Sequence, residues 1–254
     1  LDSFLTFLAV GFVAQLADGA LGMGFGVISS SVLLFQGFPP PLVSASVNAA
    51  KIPTGSMAGI SHALNGNIDF SLFRRLALSG MAGGIVGALI LGELKRPFLT
   101  VLIAAFLIGI GSLILWRGIT GRAPRLLATR RMSVIGAAGG LIEGIGGSWG
   151  PIVTSSLIGS GTEPRRAIGS SALAELVVSA IVFAVLLMTF QAGHWGGDRA
   201  LSDVLMPVAG LVAGGVPAAF IGGRLAAVAP KRPLTIAVGL LALGIGLQRL
   251  STLI

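Results

Sequence analysis

The chain of 254 residues is 54% hydrophobic and 10% charged, with 39 glycines and no cysteine. A mean hydropathy of +0.95 excludes an ordinary soluble domain, and the lack of cysteine excludes disulfides and thiolate metal sites. The formal charge of +8 does not mark a nucleic-acid partner, because the basic residues stand in short clusters between apolar runs. That is the positive-inside pattern of a multi-pass protein in a lipid bilayer.

Apolar runs predict helical segments at about 3–17, 23–36, 42–64, 72–92 and 97–116, then at about 132–142, 150–161, 166–191, 203–223 and 233–250. The first segment is expected to belong to the fold and not to a removable leader, because it has an internal counterpart. The first two segments are joined by ADGALGMGFG, an acid (Asp18) followed by Gly22, Gly24 and Gly26. The third is an uncharged run from Leu42 to Leu64 interrupted only by Lys51, with Asn48 one turn earlier on the same face and Pro53 expected to kink the helix. His62, near the end of that span, reads as an interfacial or hydrogen-bonded residue. Asp69 is expected to cap the next helix at Phe70 or Ser71. Trp116 and Arg117 read as interface anchors, as does His194 with Trp195 on the outer surface. The sixth and seventh segments are joined by EGIGGSWGP, which contains Glu143, Gly147, Ser148, Trp149, Gly150 and Pro151.

Aligned on itself, the chain repeats at an offset of about 125 residues. Asp18-Gly19 matches Glu143-Gly144, and Gly22 matches Gly147. After a shift of one residue, Gly26 matches Gly150, Gly37 matches Gly161, Pro40 matches Pro164, Ser46 matches Ser170 and Lys51 matches Glu175. The expected organisation is a first transmembrane repeat over 1–120, a basic cytoplasmic linker over 121–131 and a second repeat over 132–254. A helix needs about 20 residues to cross the hydrocarbon core, so 132–142 and 150–161 read as arms of a re-entrant hairpin. The first-half arms are longer, and a broken pair of full spans stays open there. Either way, one set of loops holds twelve basic residues and the other four, which puts the 117–131 connection in the cytoplasm and both termini outside. The halves are then inverted relative to each other, as in many secondary transporters.

Both glycine-rich tips lead into a second arm whose helix N-terminus offers free N–H groups and the positive end of its dipole, with Pro151 suited to the first turn. If the hairpins enter from opposite faces, the tips meet near the midplane and form a site for a small anion. The competing reading is that the glycines serve close helix packing alone. Lys51 has two readings as well: positive charge for the anion, or a buried structural pair with Glu175. Glu175, Glu143 and Asp18 are candidates for coupling or gating through a proton. Neither a catalytic constellation nor a metal-ligand cluster stands out, so an enzyme is not expected.

Taken together, LGMGFG, IEGIGGSWGPIVTSSL, TEPRRAIGSSALAE, HALNGNIDF and the KRPF-type turns resemble the TauE/SafE sulfite exporter family over nearly the whole chain. The resemblance implies an all-helical transporter of a bacterial-type inner membrane, without cofactor, for sulfite, an organosulfonate or a related small anion. Many relatives have an acid within a string like HTAE where this chain has Lys51. Glu175 keeps the acid of the second half, but Ala172 stands where an asparagine is often found and Phe25 where a third glycine is common. A lysine for an acid should favour a more anionic substrate or neutralise Glu175. The expected function is alternating-access transport with substrate contacts from Lys51, Asn48, Gly22, Gly24, Gly26, Gly147, Ser148, Trp149 and Gly150. A small-anion channel is the alternative. Direction, coupling ion and a homodimer stay open.

Overall fold

The computed structural model describes residues 2–93, 96–122, 132–193, 202–225 and 231–251. Lys95, Arg125, Arg130, Arg131, His194, Trp195 and Arg199 lie outside the described residues. The described chain is all-helical: α1 (Asp2–Leu21), α2 (Phe25–Phe35), α3 (Pro40–Leu64), α4 (Phe70–Glu93), α5 (Arg96–Thr120), α6 (Met132–Gly146), α7 (Val153–Gly159), α8 (Pro164–Gln191), α9 (Ser202–Leu225) and α10 (Lys231–Ser251). Stretches of α1, α4, α5, α8 and α9 are long and apolar enough to cross a membrane. By contrast α2, α6 and α7, of 11, 15 and 7 residues, fall short of the roughly 20 residues a span requires.

Several boundaries differ from the sequence expectation. Both first arms continue through their acid: α1 reaches Leu21 and α6 reaches Gly146, because each acid still lies within a helical turn and the helix ends only before Gly22 and Gly147, whose φ is positive. Pro151 falls in the turn before α7, whose first helical residue is Val153. The chain turns at Trp149 through Ile152 before a regular helix starts, with the N–H groups of Ile152 and Val153 donating to the Trp149 carbonyl at 3.2 and 3.0 Å. α3 is a single helix through Pro53.

Glycine explains the tight packing. α1 runs parallel to α9, with Gly11 on Leu211 and Gly214 on Leu8 and Phe12, and α6 runs parallel to α4, with Gly140 on Gly80 and Gly144 on Gly87 and Ala88. α3 lies antiparallel to α8, Gly55 over Leu176 and Gly59 over Leu173, and α5 lies antiparallel to α10, Gly111 over Leu243 and Gly239 over Leu115. Small residues let backbones approach where apolar side chains gain nothing by leaving lipid. Exchanging each helix for the one five places along turns the α1–α9 pair into α6–α4 and the α3–α9 pair into α8–α4, and it leaves α3–α8 and α5–α10 unchanged.

The outside is apolar and the inside is partly polar. Val13, Leu78, Met188, Phe220 and Leu240 are exposed, whereas Ser29, Ser30, Ser31, Ser44, Ser46, Asn48, Lys51, Glu143, Ser171 and Ser179 are buried. Exposed apolar side chains at this density suit lipid, which exacts no hydration penalty from them. The largest fully buried side chains include Trp149, Phe25 and Met23, so the glycine breaks sit in the interior of the molecule.

Candidate functional site

Each break is built the same way. Gly22 and Gly147 have φ of +67° and +66°, left-handed conformations that glycine adopts without a steric cost. Their N–H groups still donate to the carbonyls of Asp18 and Glu143, at 2.6 and 2.8 Å. The acid then closes the break: Phe25 N–H donates to Asp18 Oδ1 at 3.3 Å, and Trp149 N–H donates to Glu143 Oε2 at 2.8 Å. The α2 N-terminus that the sequence leaves open for an anion thus has one N–H already held by the protein's own carboxylate, and in the second half the acid holds an N–H of the turn before α7.

The breaks cross. A Cβ on Gly26 would overlap the Gly147 carbonyl, and one on Gly150 would overlap the Gly22 carbonyl. Since Gly26 matches Gly150 and Gly22 matches Gly147, the repeat converts one contact into the other. Gly24 is pressed against its own first arm, its Cβ position 2.8 Å from Asp18 N. Ser30 Oγ donates to Gly146 O at 2.9 Å and Ser44 Oγ to Gly144 O at 3.0 Å, so hydroxyls of α2 and α3 tie down the second break.

Lys51 lies against this crossing. Its Nζ donates to Glu143 Oε1 at 2.7 Å, Glu175 Oε1 at 2.7 Å and Gly147 O at 2.8 Å, which uses all three ammonium hydrogens. Lys51 is 4% exposed and Glu143 is fully buried; such charges are tolerated only when paired and hydrogen-bonded. Glu143 Oε1 also accepts from Ser179 Oγ at 3.0 Å. The expected contact with Glu175 is present. Glu143 as a second partner was hidden in the sequence, because only the crossing brings α6 beside α3. Asp18, Glu175, Gln15 and Thr54 line a narrow cavity beside Lys51 of about 20 Å³, room for about one water and too small for an oxyanion.

The remaining candidates take other positions. Asn48 does not extend the Lys51 cluster: its Nδ2 bonds Ser44 O at 2.8 Å and Ser44 Oγ at 3.3 Å, while its Oδ1 has no partner. Ser148 Oγ turns to Gly146 O at 3.3 Å. Trp149 Nε1 donates to Ser171 Oγ at 2.9 Å, which docks the second break on α8. Of the Ser29–Ser31 run, Ser29 and Ser31 keep unpartnered buried hydroxyls.

The sequence profile of the family described as "Sulfite exporter TauE/SafE" matches residues 7–249. The chain belongs to the TauE/SafE family. A protein of Bacillus subtilis (strain 168) described as "Probable membrane transporter protein YtnM" is 31% identical over 235 residues, covering 89% of this chain and 75% of that protein. No solved structure matches. Family and relative are membrane transporters, so this TauE/SafE chain is a multi-pass membrane transporter and not an enzyme.

In this TauE/SafE chain Arg117 departs from its expected place. Trp116 is 46% exposed, as an interface anchor would be. Arg117 instead turns inward, Nη1 donating to Ser155 Oγ at 2.7 Å and lying 3.4 Å from Met23 Sδ, so one cation ties the first break to α7. No sequence signal separates it from an ordinary anchor, since both stand at the end of an apolar run. Asp69 caps α4 as expected, accepting from Ser71 N–H at 2.9 Å and Leu72 N–H at 3.1 Å. His62 is hydrogen-bonded as expected, its Nδ1 lying 3.4 Å from Asn67 Nδ2.

Proposed function

We propose that this TauE/SafE protein is a secondary carrier of a small sulfur-containing anion, sulfite or an organosulfonate, working by alternating access across a bacterial-type inner membrane. One observation carries the reading: Lys51, held by Glu143 and Glu175, lies directly against the crossing of two breaks, one from each half. Breaks of this kind gather backbone N–H groups and helix ends at membrane depth, where the polar backbone must be satisfied by protein or by cargo.

In this reading residues 1–120 and 132–254 are inverted repeats joined by the 121–131 linker, with both termini outside. The exchange of packed helix pairs supports it, as does the shortness of α2, α6 and α7. The α1–α2 and α6–α7 hairpins enter from opposite faces. The anion sits where the tips cross, contacting Lys51, Asn48, Ser148, Trp149 and the glycines Gly22, Gly24, Gly26, Gly147 and Gly150. Three carboxylates, Asp18, Glu143 and Glu175, face one ammonium here. An arriving anion would add to an excess of negative charge, so it enters as protons neutralise the acids and Lys51 turns to the cargo. The structure is then a closed form, its cavity too small for the anion, and one side of the crossing must part to admit it.

Sulfite counterflow in proteoliposomes tests this. A carrier gives saturable exchange, with labelled sulfite drawn in against an unlabelled internal pool. Flux that rises without saturation and shows no counterflow would make the protein a channel.

A further inference from the structure

Two adjoining cavities share Gln15, Asp18, Ala58, Ala172 and Glu175. The first reaches Lys51 and Thr54 beside the crossing, and the second reaches Ser61 and His62 at the C-terminal end of α3. Their volumes are about 20 and 10 Å³, enough for single waters and far below what a sulfur oxyanion needs. The crevice they form is lined by groups that hold or pass protons: two carboxylates, an amide, two hydroxyls and an imidazole. α9 adds only Ala219 to its wall, so the titratable and charged groups facing it are Asp18 from α1, Lys51 and His62 from α3, and Glu175 from α8.

We propose that this crevice is the carrier's proton passage, with His62 as its outermost relay. The inference rests on the carrier reading above and names the route by which the acids of that site exchange protons with one side of the membrane. Size is the deciding argument: in this closed form the path still has room for water but none for the anion, so a proton can leave the site while the cargo stays held at the crossing. His62 suits the relay. It is 7% exposed, and imidazole is the side chain whose charge changes nearest neutral pH. Asn67 Nδ2 can only donate, so His62 Nδ1 accepts and the ring hydrogen of the neutral form sits on Nε2. A proton released from Glu175 or Asp18 passes along the crevice to the imidazole, which loses it to solvent beside the 65–69 turn. Inward movement reverses the order; each proton released restores one negative charge to Glu175 or Asp18, and the imidazole returns to its neutral form.

The test uses the full chain in proteoliposomes with labelled sulfite in two assays: counterflow at equal pH on both sides, and accumulation driven by an imposed pH gradient. Two variants are compared with the native protein. His62→Gln removes the relay but keeps a hydrogen-bonding side chain, and Ala58→Val narrows the crevice without touching a titratable group. Sulfite changes protonation across the gradient equally for all three proteins, so it does not affect the comparison. Both variants are expected to keep native counterflow, while gradient-driven accumulation falls by about a hundredfold, the low end of what a positioned acid–base group contributes. Native accumulation in both variants would overturn the passage. Loss of counterflow in both, with the protein folded, would overturn it too by making the crevice part of the anion's route. Absence of counterflow in the native protein is a different failure and would remove the carrier reading itself.

Discussion

Gly26 rests on the carbonyl of Gly147 so closely that a methyl group at residue 26 would overlap the carbonyl oxygen. The matching contact, Gly150 on the carbonyl of Gly22, repeats the relationship from the other half. Two backbones thus meet without side chains between them, and in the carrier reading this is the gate.

Gly26→Ala and Gly150→Ala are therefore expected to force the breaks apart, costing at least about 1–3 kcal/mol as overpacking does and abolishing transport. Gly109→Ala and Gly244→Ala should behave as native, because nothing lies within 4 Å of a Cβ at either position. Thermal unfolding in detergent, with flux beside it, checks both. Equal behaviour of the four variants would mean that the crossing does not constrain the protein.

The two carboxylates on Lys51 are not equivalent. Glu143 is buried and accepts from Lys51, Ser179 and the Trp149 N–H, while the Glu175 side chain is 14% exposed on the cavity. Glu143→Ala leaves Ser179 Oγ and the buried Trp149 N–H without an acceptor and takes one of two carboxylates from Lys51, and should lower stability by about 3–5 kcal/mol, the cost of removing one partner of a buried pair. Glu175→Gln should cost less stability and still impair transport. Melting curves read beside flux check the order; a larger loss of stability in Glu175→Gln would reverse the assignment of structural and mobile partners.

Much of this was readable in the residues. The repeat, the two glycine breaks, the acid before each break and the pairing of Lys51 with Glu175 all follow from spacing, because a lysine in an apolar run must find a partner and the repeat offers one. Three features were not readable. Glu143 joins Lys51 only through the crossing of α6 and α3, a tertiary relation. The occupied N–H groups of Phe25 and Trp149 depend on carboxylates seven and six residues away, which no helical periodicity expresses. Arg117 looks like an interface anchor until α7 supplies Ser155 as acceptor.

That bond should have a measurable stability. Ser155→Ala is expected to cost about 1.5–3 kcal/mol, as for a hydrogen bond to a charged group. Thr120→Ala, which removes an exposed bond from Thr120 Oγ1 to Trp116 O, should cost almost nothing. Unfolding midpoints for the two variants check the difference, and indistinguishable values would return Arg117 to the role of a surface anchor.

The inverted arrangement can be tested without a background signal, because the chain has no cysteine. Gln36 and Arg165 are exposed at the ends of the two hairpins. In intact cells Gln36→Cys should react with an impermeant thiol reagent, and Arg165→Cys should react only after the membrane is opened. Labelling of both from one side would contradict the inversion.

The central claim is that Lys51 serves the anion and does not merely pair with Glu143 and Glu175. The most direct test is saturable sulfite flux into proteoliposomes for native protein and Lys51→Ala, in competition with sulfate and an organosulfonate. The account predicts that Lys51→Ala weakens apparent sulfite affinity by about tenfold or more, the scale of one charge-assisted hydrogen bond, while folded yield falls less. Native affinity in Lys51→Ala would contradict it and leave the lysine a structural member of the crossing.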